Sequence, residues 1–252
     1  VSFSWYERGK MRLQQFKNAE SQAVHTAGVI NQIVRNDSHA VLCLATGDTP
    51  VRTYQHLVLL AERDRIDYSQ VHFVGLDEWV GISSQTHGSC YHFLRENLFE
   101  PLQIDEANVH LFNGLSEDLH EECRQMDKTI LRLNGIDLML AGVGMNGHIG
   151  FNEPGVLPDL YSHVVDLDKI TRSVGQKYFQ EQTVLTRGIT LGLKHFQEAR
   201  TAILLASGLA KAEIVKQVLE GDISNEIPAS FIQLHPNAYV FLDSAAASKL
   251  KR

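Results

Sequence analysis

One stretch of this chain, residues 141–155, gathers five glycines around one histidine, one glutamate and two asparagines. Imidazole is the side chain suited to proton transfer near neutral pH, and Glu153 lies five residues beyond His148, so an imidazole and a carboxylate that can orient it stand on one loop. Such a pair can take a proton from a hydroxyl and return it. The glycines let backbone N–H groups approach a ligand closely, which a turn serving only to reverse the chain would not need. The alternative is a solvated glycine turn. The density of amide, imidazole and carboxylate groups speaks against it. A G-x-G-x-x-G match at Gly142, Gly144 and Gly147 is weak support for a dinucleotide site, because a turn at residues 151–155 follows it instead of a helix.

A second group lies at residues 46–50. Thr46, Gly47, Asp48 and Thr49 follow an apolar run at residues 40–45 and precede an amphipathic stretch at 51–63. Thr49 is the expected N-cap and Pro50 the expected first helical residue, so unpaired N–H groups would meet a phosphate at the positive end of a helix. A capped helix start without a ligand is the alternative. A carboxylate in such a nest repels a dianion, so the Asp48 side chain must turn outward or toward a basic neighbour. A third group is Asp77, at the end of the run 71–76; Glu78 beside it should face the other way. A solvated acidic pair is the competing reading. Lys211, in the first turn of a helix after Ser207 and Gly208, opposes the helix dipole unless an anion is bound nearby, although a solvated lysine would also account for it.

These groups need elements to carry them. Short apolar runs at residues 40–45, 71–76, 136–141, 201–206 and 238–242 read as buried strands, with others at 109–112 and 163–167. Helical spacing recurs at 18–34, 51–63, 86–99, 116–133 and 172–179, and an apolar element spans 188–193. Alternation of this kind gives an α/β fold, a doubly wound, mostly parallel sheet with helices on both faces, Rossmann-like and in a single domain. The expected domain is residues 11–252, with residues 1–10 an extension or remnant to which no function attaches.

The chain has 252 residues, 44% hydrophobic and 21% charged, with a formal charge of −7. Its negative charge argues against general nucleic-acid binding, and no run is long enough for a membrane span. Cys43, Cys90 and Cys123 have neither metal-ligand spacing nor the even count of a disulfide framework. Residues 1–10 lack the apolar core of a signal peptide. The expected setting is therefore the cytoplasm, with no metal and no cofactor, a small-molecule ligand, and the oligomeric state left open.

Residues 46–50, 76–79, 144–154, 208–211 and 234–236 together, in this order, resemble the glucosamine-6-phosphate deaminase/isomerase family, from about Met11 to the C-terminus. Within it, residues 43–47, Asn146, and the stretches 186–194 and 227–231 look most like the galactosamine-6-phosphate isomerase/deaminase branch. The resemblance implies aldose–ketose isomerisation of an amino-sugar 6-phosphate with loss of ammonia, galactosamine 6-phosphate giving tagatose 6-phosphate. Glucosamine 6-phosphate deamination and a non-catalytic sugar-phosphate sensor are the alternatives. It assigns ring opening to His148 assisted by Glu153 and proton transfer between C2 and C1 to Asp77. It assigns the phosphate to residues 46–49, Lys211 and Lys177, which stands where relatives carry arginine. Relatives acting on glucosamine 6-phosphate usually carry aspartate at the position of Asn146, which removes an anionic partner of the imidazole, and glycine at that of Asp48. His163 and Val165 stand where relatives regulated by an acetylated sugar phosphate carry basic residues, so no such regulation is expected. Lactone hydrolysis on a related fold uses other residues after the Gly–His pair. A sensor would ordinarily follow a DNA-binding segment and could dispense with Asp77.

Overall fold

The computed structural model describes residues 7–8 and 11–251. The expectation about residues 1–10 falls largely outside these. Only β1 (Glu7–Arg8) belongs to that stretch, pairing antiparallel with β2 (Met11–Phe16).

Seven further elements of the main sheet and flanking helices follow the expected pattern. Asn18 caps α1 (Ala19–Asn36) reciprocally with Ser21, and the stripe Ala23, Ala27, Ile30 and Val34 is buried. The strands β3 (Val41–Leu44), β4 (His72–Val74), β6 (Val109–His110), β7 (Leu138–Gly142), β10 (Ala202–Ala206) and β11 (Ala238–Asp243) lie in the order β1-β2-β11-β10-β7-β3-β4-β6. Every pairing from β2 to β6 is parallel. Both faces are covered, which is why the strands read as unbroken apolar runs. Val41, Cys43 and Ala45 enter one core with α4 (Leu119–Arg132) and α7 (Ala212–Glu220), while Leu42 and Leu44 enter the other with α1 and α2 (Asp48–Asp64).

From β3 the chain winds outward through β4 to β6, and from β7 it winds the other way through β10 to β11. The β3–β7 border is therefore the switch point, and crevices outside the carboxyl ends of strands at such a point hold ligands.

Two features depart from the sequence-based expectation. A separate three-stranded antiparallel sheet forms from β5 (Asp77–Trp79), β9 (Arg187–Thr190) and β8 (His163–Asp166). Its small core, with Trp79, Phe151, Leu167 and Leu185, lies beside the switch point. Strand β5 is three residues long, and the strand it pairs with, β9, is more than a hundred residues away, so no local pattern announces it. Second, the helix α2 begins at Asp48, with Gly47 as its N-cap. Thr49 is not the cap and Pro50 is not the first residue, because Gly47 takes φ +101°, a conformation open to glycine, and so starts the helix two residues early.

Candidate active site

A cavity of about 370 Å³ opens at the carboxyl ends of β3, β4, β7 and β10. Its wall includes Thr46, Gly47, Asp48, Thr49, Asp77, His148, Lys177 and Lys211, brought from five separate segments. Asn146 and Glu153 do not line it; they stand behind the His148 ring.

The central loop is built around that ring. A Cβ on Gly144 would come 2.4–2.5 Å from three His148 ring atoms, so only glycine lets the imidazole lie against the backbone there. The loop closes on itself through the Gly144 N–H to the His148 carbonyl, 2.9 Å, and is tied down where the Ala229 N–H donates to the Gly147 carbonyl, 2.8 Å. Asn152 donates to the Ile149 and Leu191 carbonyls and so braces the turn. Of the two asparagines, one is structural.

On the ring, Nδ1 faces Glu153 Oε2 at 3.5 Å and the Thr171 hydroxyl at 3.1 Å. Both can accept, which assigns the Nδ1 position a proton and leaves the lone pair of the neutral ring on Nε2. Glu153, 6% exposed, also accepts from the Asn146 amide at 2.9 Å and the Asp168 N–H at 3.2 Å. Burial pushes this carboxyl up, but hydrogen bonds from His148, Thr171 and Asn146, with the attraction of the imidazole, hold it below the usual range. Asn146 thus serves Glu153 directly. Among the hydrogen bonds of the described residues, its side-chain oxygen accepts from the His148 backbone N–H at 3.4 Å and none joins it to the ring. The side chain expected beside the imidazole therefore meets Glu153, which stands between the two.

Asp77 is held differently. Burial pushes it up to about 6, against the opposing pull of the Cys90 thiol, which donates to Oδ1 at 3.3 Å, and of His148. The neighbouring Glu78, 2% exposed, points away as strand geometry requires. It accepts from the backbone N–H groups of Trp79, Cys90 and Tyr91 at 2.9–3.0 Å. That fastens α3 (Cys90–Leu94), capped by Ser89, to the strand carrying Asp77.

At the other end of the cavity, Asp48 turns out of the N-terminal nest of α2 and pairs with Lys177 at 2.5 Å, as the charge argument demands. Both are well exposed, 70% and 48%, so the pair is solvent-screened. Lys177 lies on the single 3₁₀ turn (Gln176–Tyr178) after α5 (Lys169–Gly175), and the Tyr178 hydroxyl overhangs Gly47. Lys211 is at the N-cap of α7 and donates to the Val143 carbonyl at 2.7 Å. Burial and the nearby Lys177 push its ammonium below the usual lysine range. Two cations and a helix start therefore face one end of the cavity, and a carboxylate and an imidazole face the other.

Thr171 and Cys90 were not singled out by sequence. Neither belongs to a motif, and each meets its partner across more than ten residues, so only the fold reveals them. Among the described residues no cluster of three or more histidines, cysteines or carboxylates suits a metal ion, and no helix is long and apolar enough to cross a membrane.

A family model described as glucosamine-6-phosphate isomerases/6-phosphogluconolactonase matches residues 14–241. The chain is 38% identical over 232 residues to glucosamine-6-phosphate deaminase of Thermoanaerobacter pseudethanolicus, 92% of each chain. It is likewise 38% identical to that of Clostridium novyi, over 95% of this chain and all of the relative. A solved monomeric glucosamine-6-phosphate deaminase superposes with a TM-score of 0.91 at 34% identity, covering 94% of this chain and 99% of that one. The 6-phosphogluconolactonase of Trypanosoma brucei, at 21% identity and a TM-score of 0.74 over 99% of this chain and all of that one, shares the fold.

Proposed function

Because the chain belongs to the glucosamine-6-phosphate isomerase/6-phosphogluconolactonase family, we propose that it isomerises and deaminates an amino-sugar 6-phosphate, glucosamine 6-phosphate giving fructose 6-phosphate and ammonia. One observation carries this: a desolvated carboxylate, Asp77, and a carboxylate-backed imidazole, His148, share a cavity with two lysines and a helix start.

In this reading the phosphate occupies the cationic end, on the turn of Thr46, Gly47 and Thr49 with Lys177 and Lys211. Lys177 then exchanges Asp48 for the phosphate, which keeps the charge but lacks the two-pronged fit of an arginine. His148, its Nδ1 proton held toward Glu153, takes the anomeric hydroxyl proton through Nε2 and returns it to the ring oxygen as the C1–O5 bond breaks, leaving the open-chain aldehyde. Asp77 removes the C2 proton and delivers it to C1. The C2–N bond becomes an imine, water adds to it, and ammonia leaves. A base whose carboxyl titrates near 6 is ionised at neutral pH yet basic enough to accept a carbon-bound proton, which an ordinary surface aspartate is not.

Galactosamine 6-phosphate is the second reading, favoured by residues 43–47, Asn146 and the stretches 186–194 and 227–231. Of these only Ala45, Thr46 and Gly47 line the cavity, on the turn assigned to the phosphate and not to the sugar ring; Asn146 contacts Glu153, Ile227 packs beneath Gly147 and Gly188 of β9 packs on Phe151 of the loop. Residues that do not reach the sugar are weak grounds for choosing its C4 configuration, whereas the relatives at 36–38% identity carry the glucosamine name. Ammonia release from glucosamine 6-phosphate and galactosamine 6-phosphate, assayed side by side, decides. Faster release from the galacto sugar reverses the order of the two readings, and release from neither replaces both with sugar-phosphate sensing.

A further inference from the structure

Asp77 opens β5, three residues beyond the end of β4, with few direct hydrogen-bond donors to its side chain among the described residues. The Cys90 thiol reaches Oδ1 at 3.3 Å, and the same sulfur accepts from the Thr46 hydroxyl at 3.5 Å. The sulfur is not free to wander. The backbone N–H of Cys90 donates to buried Glu78 at 3.0 Å, and Ser89 caps the helix that Cys90 begins. Three hydrogen bonds therefore fix one cysteine between the turn that follows β3 and the carboxylate that opens β5. Both sulfur contacts run the same way, hydroxyl to sulfur and thiol to carboxylate, so the second contact leaves the thiol proton pointed at Asp77.

We propose that Cys90 is a positioning residue for Asp77, its thiol relaying a hydrogen bond from Thr46 that sets the orientation of the Asp77 carboxylate in the cavity. The proposal rests on Asp77 acting as the proton-transfer base. With one oxygen engaged by the thiol, the other is directed to the carbon plane, and rotation about the last side-chain bond is restricted.

The thiol also favours the charged carboxylate, since donation stabilises an acceptor more when it is ionised. The other titratable groups around Asp77 are His148 from the central loop, Glu78 from its own strand, Cys43 from β3 and Tyr54 from α2. Of these, His148 favours the ionised form and Glu78 opposes it. Cys43 and Tyr54 are buried and neutral, their ionisation pushed far up by burial. None of these four donates a hydrogen bond to the Asp77 carboxylate among the contacts of the described residues. Cys90 does, and its own thiol is held protonated, and so a donor, by burial and by Asp77.

The test is the pH profile of kcat/KM for ammonia release, with carboxyl titration of Asp77 followed by ¹³C NMR and assigned with Asp77→Asn. Wild type should show an acid limb at about 6. Cys90→Ala should raise both the limb and the carboxyl titration by about 0.5–1 pH unit, the size of a weak hydrogen bond to a charged group, and lower kcat about threefold to tenfold with little change in KM. Cys90→Ser, which restores a donor, should return limb and titration to near their wild-type positions. The proposal is overturned if limb and titration are unmoved in Cys90→Ala, or if serine and alanine displace them equally, since lost volume would then be the cause. Should Cys90→Ala fail to fold, Cys90→Val, which fills the space without a donor, is read in its place. Absence of ammonia release from the wild type would instead defeat the functional reading, and the NMR titration would still judge the contact with Cys90.

Discussion

Two carboxylates serve the same cavity, and their surroundings hold them in opposite ways. Glu153 lies behind the imidazole among donors: an amide, a hydroxyl, a backbone N–H and the ring itself. Asp77 faces the cavity with one weak thiol donor and low-dielectric walls. Burial acts on both. Hydrogen bonding outweighs it at Glu153 and fails to do so at Asp77, so the first is held an anion and the second is pushed up toward neutrality, as the proposed orienting and base roles require. Two carboxylates around one pocket can thus be set apart by burial and donor count together.

The comparison is broken most severely by Asp77→Asn. Substrate affinity should change little while kcat falls at least ~100-fold, the usual effect of removing a positioned base. Turnover at the wild-type rate would remove Asp77 from the chemistry and leave the contrast without a function.

Lys211→Ala sharpens it by separating binding from proton transfer. A charge-assisted contact with phosphate is worth ~1.5–3 kcal/mol, so KM should rise roughly tenfold or more while the acid limb of kcat stays where it was. A KM equal to that of the wild type would place the phosphate elsewhere.

Thermal unfolding against pH tests the two electrostatic settings directly. The folded-state value of Asp77, about 6, is above the ordinary 3.8, so its contribution to stability is greatest below pH 4 and is lost as pH rises through 6. Asp77→Asn should therefore be more stable than wild type at pH 8, by at most about 3 kcal/mol, with the gap closing toward pH 4. Glu153 is lowered, so its contribution is present above its unfolded value and is lost as pH falls through the folded one. Glu153→Gln should be less stable than wild type at neutral pH and lose that deficit in acid. Melting curves in which both variants shift the same way with pH would contradict the contrast.

The smallest effect is expected from Asn146→Asp, which replaces a donor to Glu153 with a second carboxylate. The added negative charge lies beside Glu153 and favours the protonated imidazole, so the NMR titration profile of the His148 ring should move up in the variant relative to wild type, by less than about one pH unit because Glu153 stands between the two. A downward shift in the same profile would contradict this coupling.

By itself the sequence determined the scaffold and the position of each functional group along it. Buried parallel strands must be continuous apolar runs, so the strands of the main sheet from β3 onward were readable, and with them the loops at their carboxyl ends that carry Thr46, Asp77, His148 and Lys211. The outward turn of Asp48 was readable too, because a carboxylate cannot share a nest meant for a dianion. Local signals failed where a position is set by a distant contact. Gly47 starts α2 earlier than Thr49 and Pro50 suggest, because its own φ is positive, which a residue type permits but does not announce. Strand β5 exists because β9, over a hundred residues later, pairs with it. Only the tertiary structure decided that Asn146 answers to Glu153, that Lys177 meets Asp48 across 129 residues, and that a cysteine touches Asp77. The reason is physical: residue types and spacing fix what a group can do, but the donors and the dielectric that set its charge come from segments the chain brings alongside only on folding.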